Sequence, residues 1–598
     1  MVEKIQSKLN DSAFVRWTAL ILIALMMFFG YMLVDVMSPL QNLLETQRGW
    51  TPDVFGFYGS SEFMLNVFVG FLIFAGIILD KMGVRFTGVL SASLMVIGAA
   101  IKLYGVSDYF VGGGFGFEFF SSFFSSFPAS AKVACIGFMI FGCGCEMAGI
   151  TVSKAIAKWF KGKEMALAMG LEMAIARLGV FAVFHISPWL ANMGERSVVR
   201  PLAFNVLLLV IGLLTFTVFT FMDRKLDKQL GTEEEASEEV PFKVSDLKKL
   251  FTSNVFMTVA FLCVLYYSAI FPFQRFATGM LESRLGLPTD EASGLFSWFP
   301  IGAMFLTPIL GAFLDKKGKG ATMLMVGSIL MCGCHLIFAL APMTTLLAYA
   351  AIVLLGISFS LVPAALWPSV PKLVEERYLG SAYSVIFWIQ NFGLWLLPIT
   401  IGAVLNAVNP GVADNIKELQ GNLDQLNKIE IRLQEIEDQT EAIAPIREKM
   451  IADLKNTPAW KISESRHALT ANFMQYSEEL AAIYTSKQTA EENIATEEVI
   501  EKQEAQVAQE VEEVEEAQEI QKAAADDHFA LLKAEVEKMK DHVAQIDSID
   551  DSRNMIYNYR IPMLIFASLG VLAFFLSFHL KREDHKKHYG LELPNIKE

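Results

Sequence analysis

Twelve apolar runs constrain this chain more than any other feature. A helix needs about 20 predominantly apolar residues to cross the hydrocarbon core of a bilayer. Runs of that order fall at 14–36, 53–79, 86–104, 131–155, 164–190 and 200–222, and again at 252–280, 291–314, 321–341, 344–370, 379–406 and 556–580. The composition agrees: 53% of residues are hydrophobic, 48 are Phe and the mean hydropathy is +0.41, beyond what soluble globular domains show. The expected fold class is an all-α membrane protein with twelve transmembrane helices, six on either side of a polar connection at 223–250. That connection carries Glu233, Glu234 and Glu235 and reads as a flexible, solvated linker.

The formal net charge of −15 is concentrated. Most acidic residues lie between Val412 and Asp551, so the acidity describes one segment and gives no support to a nucleic-acid partner. Basic residues cluster in one set of short connections: Lys81 and Arg85; Lys158, Lys161 and Lys163; Lys316, Lys317 and Lys319. Lys581, Arg582, Lys586 and Lys587 follow the last run. The alternate connections, near Glu45, Glu195 and Glu282, hold fewer. Cytoplasmic loops carry the excess of Lys and Arg, which places both termini in the cytoplasm. Met1–Ser12 is polar and the first run is too long for a signal-peptide core, so a retained anchor is expected. The six cysteines all sit in apolar runs, without metal-ligand spacing or a redox Cys-x-x-Cys, and read as packing residues. The sequence has no Walker-type phosphate loop and no catalytic constellation. No enzymatic activity, cofactor or metal is therefore expected.

An internal repeat ties the two halves together. Gly76-Ile-Ile-Leu-Asp80-Lys81-Met-Gly83 follows the second run, and Gly311-Ala-Phe-Leu-Asp315-Lys316-Lys-Gly318 follows the eighth. In the shared form Gly-x-x-x-Asp-Lys-x-Gly, the first Gly lets the helix end pack closely. The Asp is placed for neighbouring helix N-termini or basic groups. Asp80, Arg85 and Asp315 are accordingly candidate gating residues. With these loops at equivalent places, the sequence resembles the major facilitator superfamily. The resemblance implies two six-helix bundles around a midplane cavity, working by alternating access. The first bundle is expected at 1–222 and the second at 251–408, completed by the last helix and cytoplasmic tail at 556–598.

Residues 409–555 interrupt that pattern. After the helix-breaking Pro410-Gly411, apolar residues recur at helical spacing: Ile416, Leu419, Leu423 and Leu426, then Leu433 and Ile436, and later Leu532, Val536, Met539, Val543 and Ile546. Val507, Val511 and Val514 lie between, amid Glu and Gln. This is coiled-coil spacing, with breaks at Pro445 and at Asn456-Thr-Pro458. Because the insertion enters and leaves on one face, an antiparallel hairpin is the simplest closure, with arms of about 60 residues reaching about 90 Å. By the charge pattern it is periplasmic, with the spans in a cell membrane, expected to be a bacterial inner membrane. The only Asn-x-Ser/Thr acceptor, Asn10-Asp11-Ser12, is on the other side. The insertion reads either as a solvated appendage or as an arm for a protein partner or self-association. A further segment, Val111 to Phe127, is rich in Gly, Ser and Phe and reads as an irregular outer loop, with a re-entrant or interfacial segment as the alternative.

Two ionisable residues stand deep in consecutive runs: Glu146 in Gly142-Cys143-Gly144-Cys145-Glu146, and Arg177 in Ala174-Ile175-Ala176-Arg177-Leu178-Gly179. A charge at the bilayer centre costs about 2.5–3.5 kcal/mol on insertion scales, so it is usually paired or faces a cavity. Opposite charges on consecutive helices either form a structural ion pair or bracket a ligand that carries both charges. The surrounding stretches are Phe141-Gly142-x-Gly144-x-Glu146, Lys158-Trp159-Phe160-Lys161-Gly162-Lys163-Glu164, Val264-x-Tyr266-Tyr267, Ala365-Leu366-Trp367-Pro368 and Ile389-Gln390-Asn391. They resemble the lysosomal dipeptide uniporter branch of the superfamily.

That resemblance implies uniport of a dipeptide or similar small zwitterion. Arg177 suits a peptide carboxylate, which it can grip bidentately. Glu146 suits an ammonium group. Tyr266, Tyr267, Trp367, Trp388, Gln390 and Asn391 are expected to line the cavity from the second half, with aromatic faces and amides against the peptide. Glu62, Asp35 and Glu172 are secondary candidates, and Arg275 is a candidate for gating the outer mouth. Three alternatives stand beside this reading. They are proton coupling through Glu146, an anion porter for nitrate or an organic acid, and an envelope scaffold or partner-docking protein acting through the insertion.

Overall fold

A bilayer offers no water to backbone N–H and C=O groups, so a spanning segment satisfies them internally by folding as helix. The computed structural model describes residues 8–160, 163–230, 250–374, 379–437, 441–504 and 512–594. The linker residues Glu233, Glu234 and Glu235 lie outside them, as do Lys161, Gly162, Val507 and Val511. The first half holds α1 (Ala13–Asp35), α2 (Gln41–Arg48), α3 (Pro52–Phe68), α4 (Phe71–Val106), α5 (Ala129–Trp159), α6 (Met165–Ala191) and α7 (Val199–Leu230). The second holds α8 (Asn254–Leu285), α9 (Thr289–Lys317), α10 (Gly320–Leu340), α11 (Thr345–Leu366) and α12 (Leu379–Ala407). Then come α13 (Val412–Glu437), α14 (Ala444–Lys455), α15 (Ser463–Glu504), α16 (Glu512–Asp547) and the last span, α17 (Arg560–Lys587).

Among the described residues, eleven helices are long and apolar enough to cross a membrane. One of them, α4, is broken at Gly83 (φ 74°, ψ 172°). Its first arm continues the span begun by α3 past Gly70 (φ 66°), and its second arm forms the next span. Twelve crossings result, as the apolar runs predict. The equivalent Gly318, between α9 and α10, also takes a positive φ, 70°. Glycine alone reaches such backbone without strain, so the repeated motif is a repeat of backbone geometry as well as of sequence.

The first six spans pack on one another through the α1–α6, α1–α7, α4–α5 and α3–α5 contacts. The other six pack through α8–α12, α8–α17, α9–α11 and α10–α17. Both described termini and the repeat loops lie on one face, here called the tail face. The insertion leaves from the opposite, insertion face. The bundles meet along α3–α12 and α6–α9. There Ser293 Oγ donates to the Phe184 carbonyl, Ser297 Oγ lies 3.0 Å from His185 Nε2, and Asn406 Nδ2 donates to Asp53 Oδ1 at 3.2 Å. All of these are on the insertion side. The bond from Trp388 Nε1 to the Val67 carbonyl, at 3.1 Å, lies deeper than these. Hydrogen bonds thus hold the seam shut at the insertion face.

The Phe-rich stretch between α4 and α5 is more ordered than its composition predicts. It forms short helices at Asp108–Val111 and Phe117–Ser121. Lys132 pins it by donating to the carbonyls of Phe120 (2.6 Å) and Phe123. Phe110 is buried while Phe115, Phe119 and Phe124 are exposed.

The insertion departs from the single long hairpin that spacing suggests. Its described part runs out along α13, back along α14, out along α15 and back along α16. Pro445 and the Asn456–Pro458 turn set the extra reversal, since Pro removes a helix N–H and clashes with the preceding turn. Arg447 of α14 pairs with Glu430 of α13 at 2.8 Å, and Arg466 at the start of α15 pairs with Asp551 just past α16 at 2.8 Å. The residues at helical spacing, Leu419 through Ile436 and Leu532 through Ile546, form its buried core.

Candidate functional site

Glu146 lies near the middle of α5 and Arg177 near the middle of α6. Small residues set both helices close to their neighbours. A Cβ on Gly144 would lie 2.7 Å from the Ser91 carbonyl oxygen of α4, and one on Gly179 would collide with the Phe28 carbonyl oxygen of α1. Helices in membranes approach this closely where a side chain is missing. Both charged side chains are half-buried. They do not pair with each other, and among the described residues neither makes a salt bridge or hydrogen bond. The alternative of a structural ion pair is not what this fold forms.

Arg177 is held by rings instead. Its Cζ lies 5.3 Å from the ring centroid of Phe359 on α11, 5.6 Å from Phe271 on α8 and 5.9 Å from Tyr31 on α1. The guanidinium thus reaches from the first bundle to rings of both. Each cation–π contact contributes about 0.5–1 kcal/mol when exposed and about 2 when desolvated. Ring faces also leave the five N–H donors of the planar fork unused. Tyr31 is the hub of the site, with Arg177, Glu172 and Glu146 all in electrostatic range of its hydroxyl.

The second bundle supplies an aromatic wall. Tyr267 lies 5.5 Å from Phe271 and 6.0 Å from Phe359, centroid to centroid. Trp367 Nε1 donates to the Tyr267 hydroxyl at 3.3 Å, and the Tyr383 hydroxyl donates to the Trp367 carbonyl at 3.4 Å. The other expected residues go elsewhere. Tyr266 is fully buried inside the second bundle, its hydroxyl donating to the Leu324 carbonyl. Trp388 bonds Val67 across the seam. Gln390 is buried and accepts from Cys263 Sγ at 3.1 Å, and Asn391 is buried on α12. The structure therefore gathers Glu146, Arg177, Tyr267 and Trp367, and sets Tyr266, Trp388, Gln390 and Asn391 in helix contacts. Reading the sequence alone misses Tyr31 and Phe359. Tyr31 had a usable signal, being the only phenol in α1, whereas Phe359 is one of 48 Phe and had none.

Nearer the insertion face, four buried charges meet: Asp35 (α1), Glu62 (α3), Lys102 (α4) and Arg275 (α8). Arg275 forms a salt bridge with Glu62 across the seam and bonds the Val34 carbonyl at 3.4 Å. Gln274 Nε2 donates to Asp35 Oδ2 at 2.6 Å, and Ser38 Oγ donates to Asp35 Oδ1 at 3.1 Å. Lys102 Nζ donates to the Leu33 carbonyl at 3.3 Å and sits 4.3 Å from the Phe138 ring centroid. This layer separates the Glu146–Arg177 region from the insertion face.

Residues 20–398 match the family profile described as Major Facilitator Superfamily. The chain belongs to the major facilitator superfamily. It is a multi-pass membrane transporter. Among curated relatives it is similar to the lysosomal dipeptide transporter MFSD1 of Gallus gallus, 30% identical over 279 residues, which cover 45% of this chain and 62% of the relative. The Homo sapiens protein of that name is 28% identical over 45% of this chain and 59% of its own length. The chain thus matches about three fifths of the length of these relatives. The Pongo abelii protein of that name is 25% identical over 66% of this chain and 80% of its own. Two solved structures share the fold. A bacterial homolog to the human lysosomal transporter Spinster, in an inward-facing and occupied conformation, has a TM-score of 0.55 at 13% identity, covering 96% of this chain and 98% of that one. The D-xylose-proton symporter has a TM-score of 0.50 at 13% identity, covering 65% and 90%.

The repeat-motif residues of this major facilitator chain sit within bundles. Asp80 pairs with Lys154 of α5 at 2.7 Å. Arg85 pairs with Asp227 and lies 3.6 Å from Asp223, both on α7. Asp315 lies in electrostatic range of Lys372. All are at the tail face.

Proposed function

We propose that this transporter moves dipeptides by alternating access, as a uniporter. Arg177 takes the peptide carboxylate in its fork. Glu146 takes the α-ammonium group or a cationic side chain. Tyr31, Tyr267 and Trp367 lie against the rest of the ligand. The observation that carries this reading is the pairing state of the two charges. Arg177 is wrapped in rings and Glu146 faces the same hub, yet among the described residues neither has an ionic partner. A zwitterion meets both charges, whereas a sugar meets neither and a monoanion only one. The likeness to lysosomal dipeptide transporters supports the same ligand class. The basic residues at the tail face make that face cytoplasmic, so the insertion is periplasmic in a bacterial inner membrane. The conformation described is then shut outward, and rocking of the two bundles exposes the site to either side in turn.

A thermal-shift screen of the purified protein against dipeptides tests the ligand, because binding to the folded state alone raises its stability. Free dipeptides should raise the midpoint. Analogues with an acetylated N-terminus or an amidated C-terminus should raise it much less. A shift with nitrate or organic acids and none with dipeptides overturns the reading. A pH dye inside vesicles separates the modes: uniport predicts dipeptide flux without acidification, and acidification would replace it with proton coupling.

A further inference from the structure

The insertion is not needed to complete twelve spans, and substrate chemistry does not use it. Its attachment is informative. It leaves α12 and returns into α17, so both of its roots belong to the second bundle. Among the described residues, the insertion and the short return segment 556–559 that leads from it into α17 nonetheless reach the first bundle at four places. The Tyr557 hydroxyl donates to Glu45 of α2. The Tyr559 hydroxyl lies 3.5 Å from Gln41 Oε1, also on α2. Arg196, in the turn between α6 and α7, donates to the Lys455 carbonyl at the end of α14 at 3.3 Å. Lys461, buried in the turn between α14 and α15, has Glu45 of the first bundle and Glu282 of the second as its charged neighbours. Glu282 in turn accepts from Asn42 of α2. Lys461 and Pro458 also wall a small cavity whose other sides include Asn42, Asn192 and Arg196.

Opening the insertion face requires the outer ends of the two bundles to part. An arm rooted in one bundle and bonded to the other must then release or stretch every one of these contacts. We infer that the insertion is a clasp: an arm of the second bundle that grips the outer end of the first, holds the insertion face shut and sets how often it opens. The inference rests on alternating access as read above, and not on the dipeptide.

Spin labels at Glu195 and Glu291, exposed on opposite sides of the seam, read the opening directly by double electron–electron resonance in lipid nanodiscs without substrate. Wild type should give one short-distance population. Tyr557→Phe and Lys461→Ala should each raise a longer-distance population, by about tenfold for loss of a hydrogen bond to a charged group. Unchanged distances in both folded variants overturn the clasp. A second arm stands if either variant misfolds. Arg196→Cys and Lys455→Cys, joined by a reducible bis-methanethiosulfonate linker, should abolish any long-distance population drawn out by low temperature or ligand. Reduction should restore it. A linked protein that opens as the unlinked one does also overturns the clasp. Because these measurements use no peptide, failure of the dipeptide assignment leaves their outcome readable.

Discussion

At the scale of single residues, the outer seam and the central site use charge in opposite ways. Arg275 and Glu62 satisfy each other across the seam, whereas Arg177 keeps its donors idle among rings. Arg275→Ala leaves Glu62 buried without its partner, a loss of about 3–5 kcal/mol. A lower unfolding midpoint and faster thiol labelling from the insertion face should follow. The double variant Arg275→Met with Glu62→Leu should recover most of the stability. Arg177→Lys keeps the charge but loses the planar fork and its stacking on rings, and dipeptide uptake should fall about tenfold or more in protein that still folds. Glu146 and Arg177 were legible in the sequence because a charge is conspicuous in an apolar run. The ring cage was not, because every span is rich in Phe. Tyr266 and Tyr267 show the limit clearly. Adjacent helical residues project about 100° apart, so one faces the site and the other the interior of its own bundle. The sequence does not say which until the neighbouring helices are placed.

At the scale of elements, the repeat motif and the turns of the insertion separate what local chemistry decides from what packing decides. Gly83 and Gly318 share a positive φ, yet a Cβ on Gly83 would meet nothing within 4 Å. One on Gly318 would lie 2.5 Å from the Glu592 carbonyl oxygen and 2.6 Å from the Leu593 carbonyl carbon. Gly83→Ala should therefore cost only the backbone strain, about 1–3 kcal/mol. Gly318→Ala should cost more and should also free the segment after α17, read as faster hydrogen exchange at Lys319 and Gly320, whose amides bond Glu592 and Leu591. The root of the insertion carries a pH signature. Hydrogen bonds that His467 donates to Asp551 and Asp547 hold it above its usual 6.5. Its contribution to stability is fully present below 6.5 and is lost as pH rises through its folded-state value. Asp551, held below the usual 3.8, acts the other way and loses its contribution only in acid. The unfolding midpoint should fall as pH rises above 6.5, and His467→Gln should flatten that fall. The apolar spacing of α13 and α16 made this region legible as helices. The second reversal was marked by Pro445 and Pro458, but a prolyl break does not tell whether the chain bends or turns back. That depended on contacts such as Arg447–Glu430.

At the scale of the whole molecule, the twelve runs and the duplicated loop were enough to read two bundles, because span length and backbone repeat are local properties. Which face is shut was not legible, since closure is a property of the seam: Ser293 with Phe184, Arg275 with Glu62, Trp388 with Val67. Those contacts, with the insertion over them, close the insertion face. A transporter in this state binds its ligand from one side and releases it on the other when the seam breaks. Uptake of a labelled dipeptide into proteoliposomes, run side by side for wild type, Glu146→Gln and Arg177→Ala, tests this most directly. Saturable flux in wild type, competed by other free dipeptides and reduced about tenfold or more in both variants, is the expected result. Dipeptide flux that both variants retain in full would contradict it.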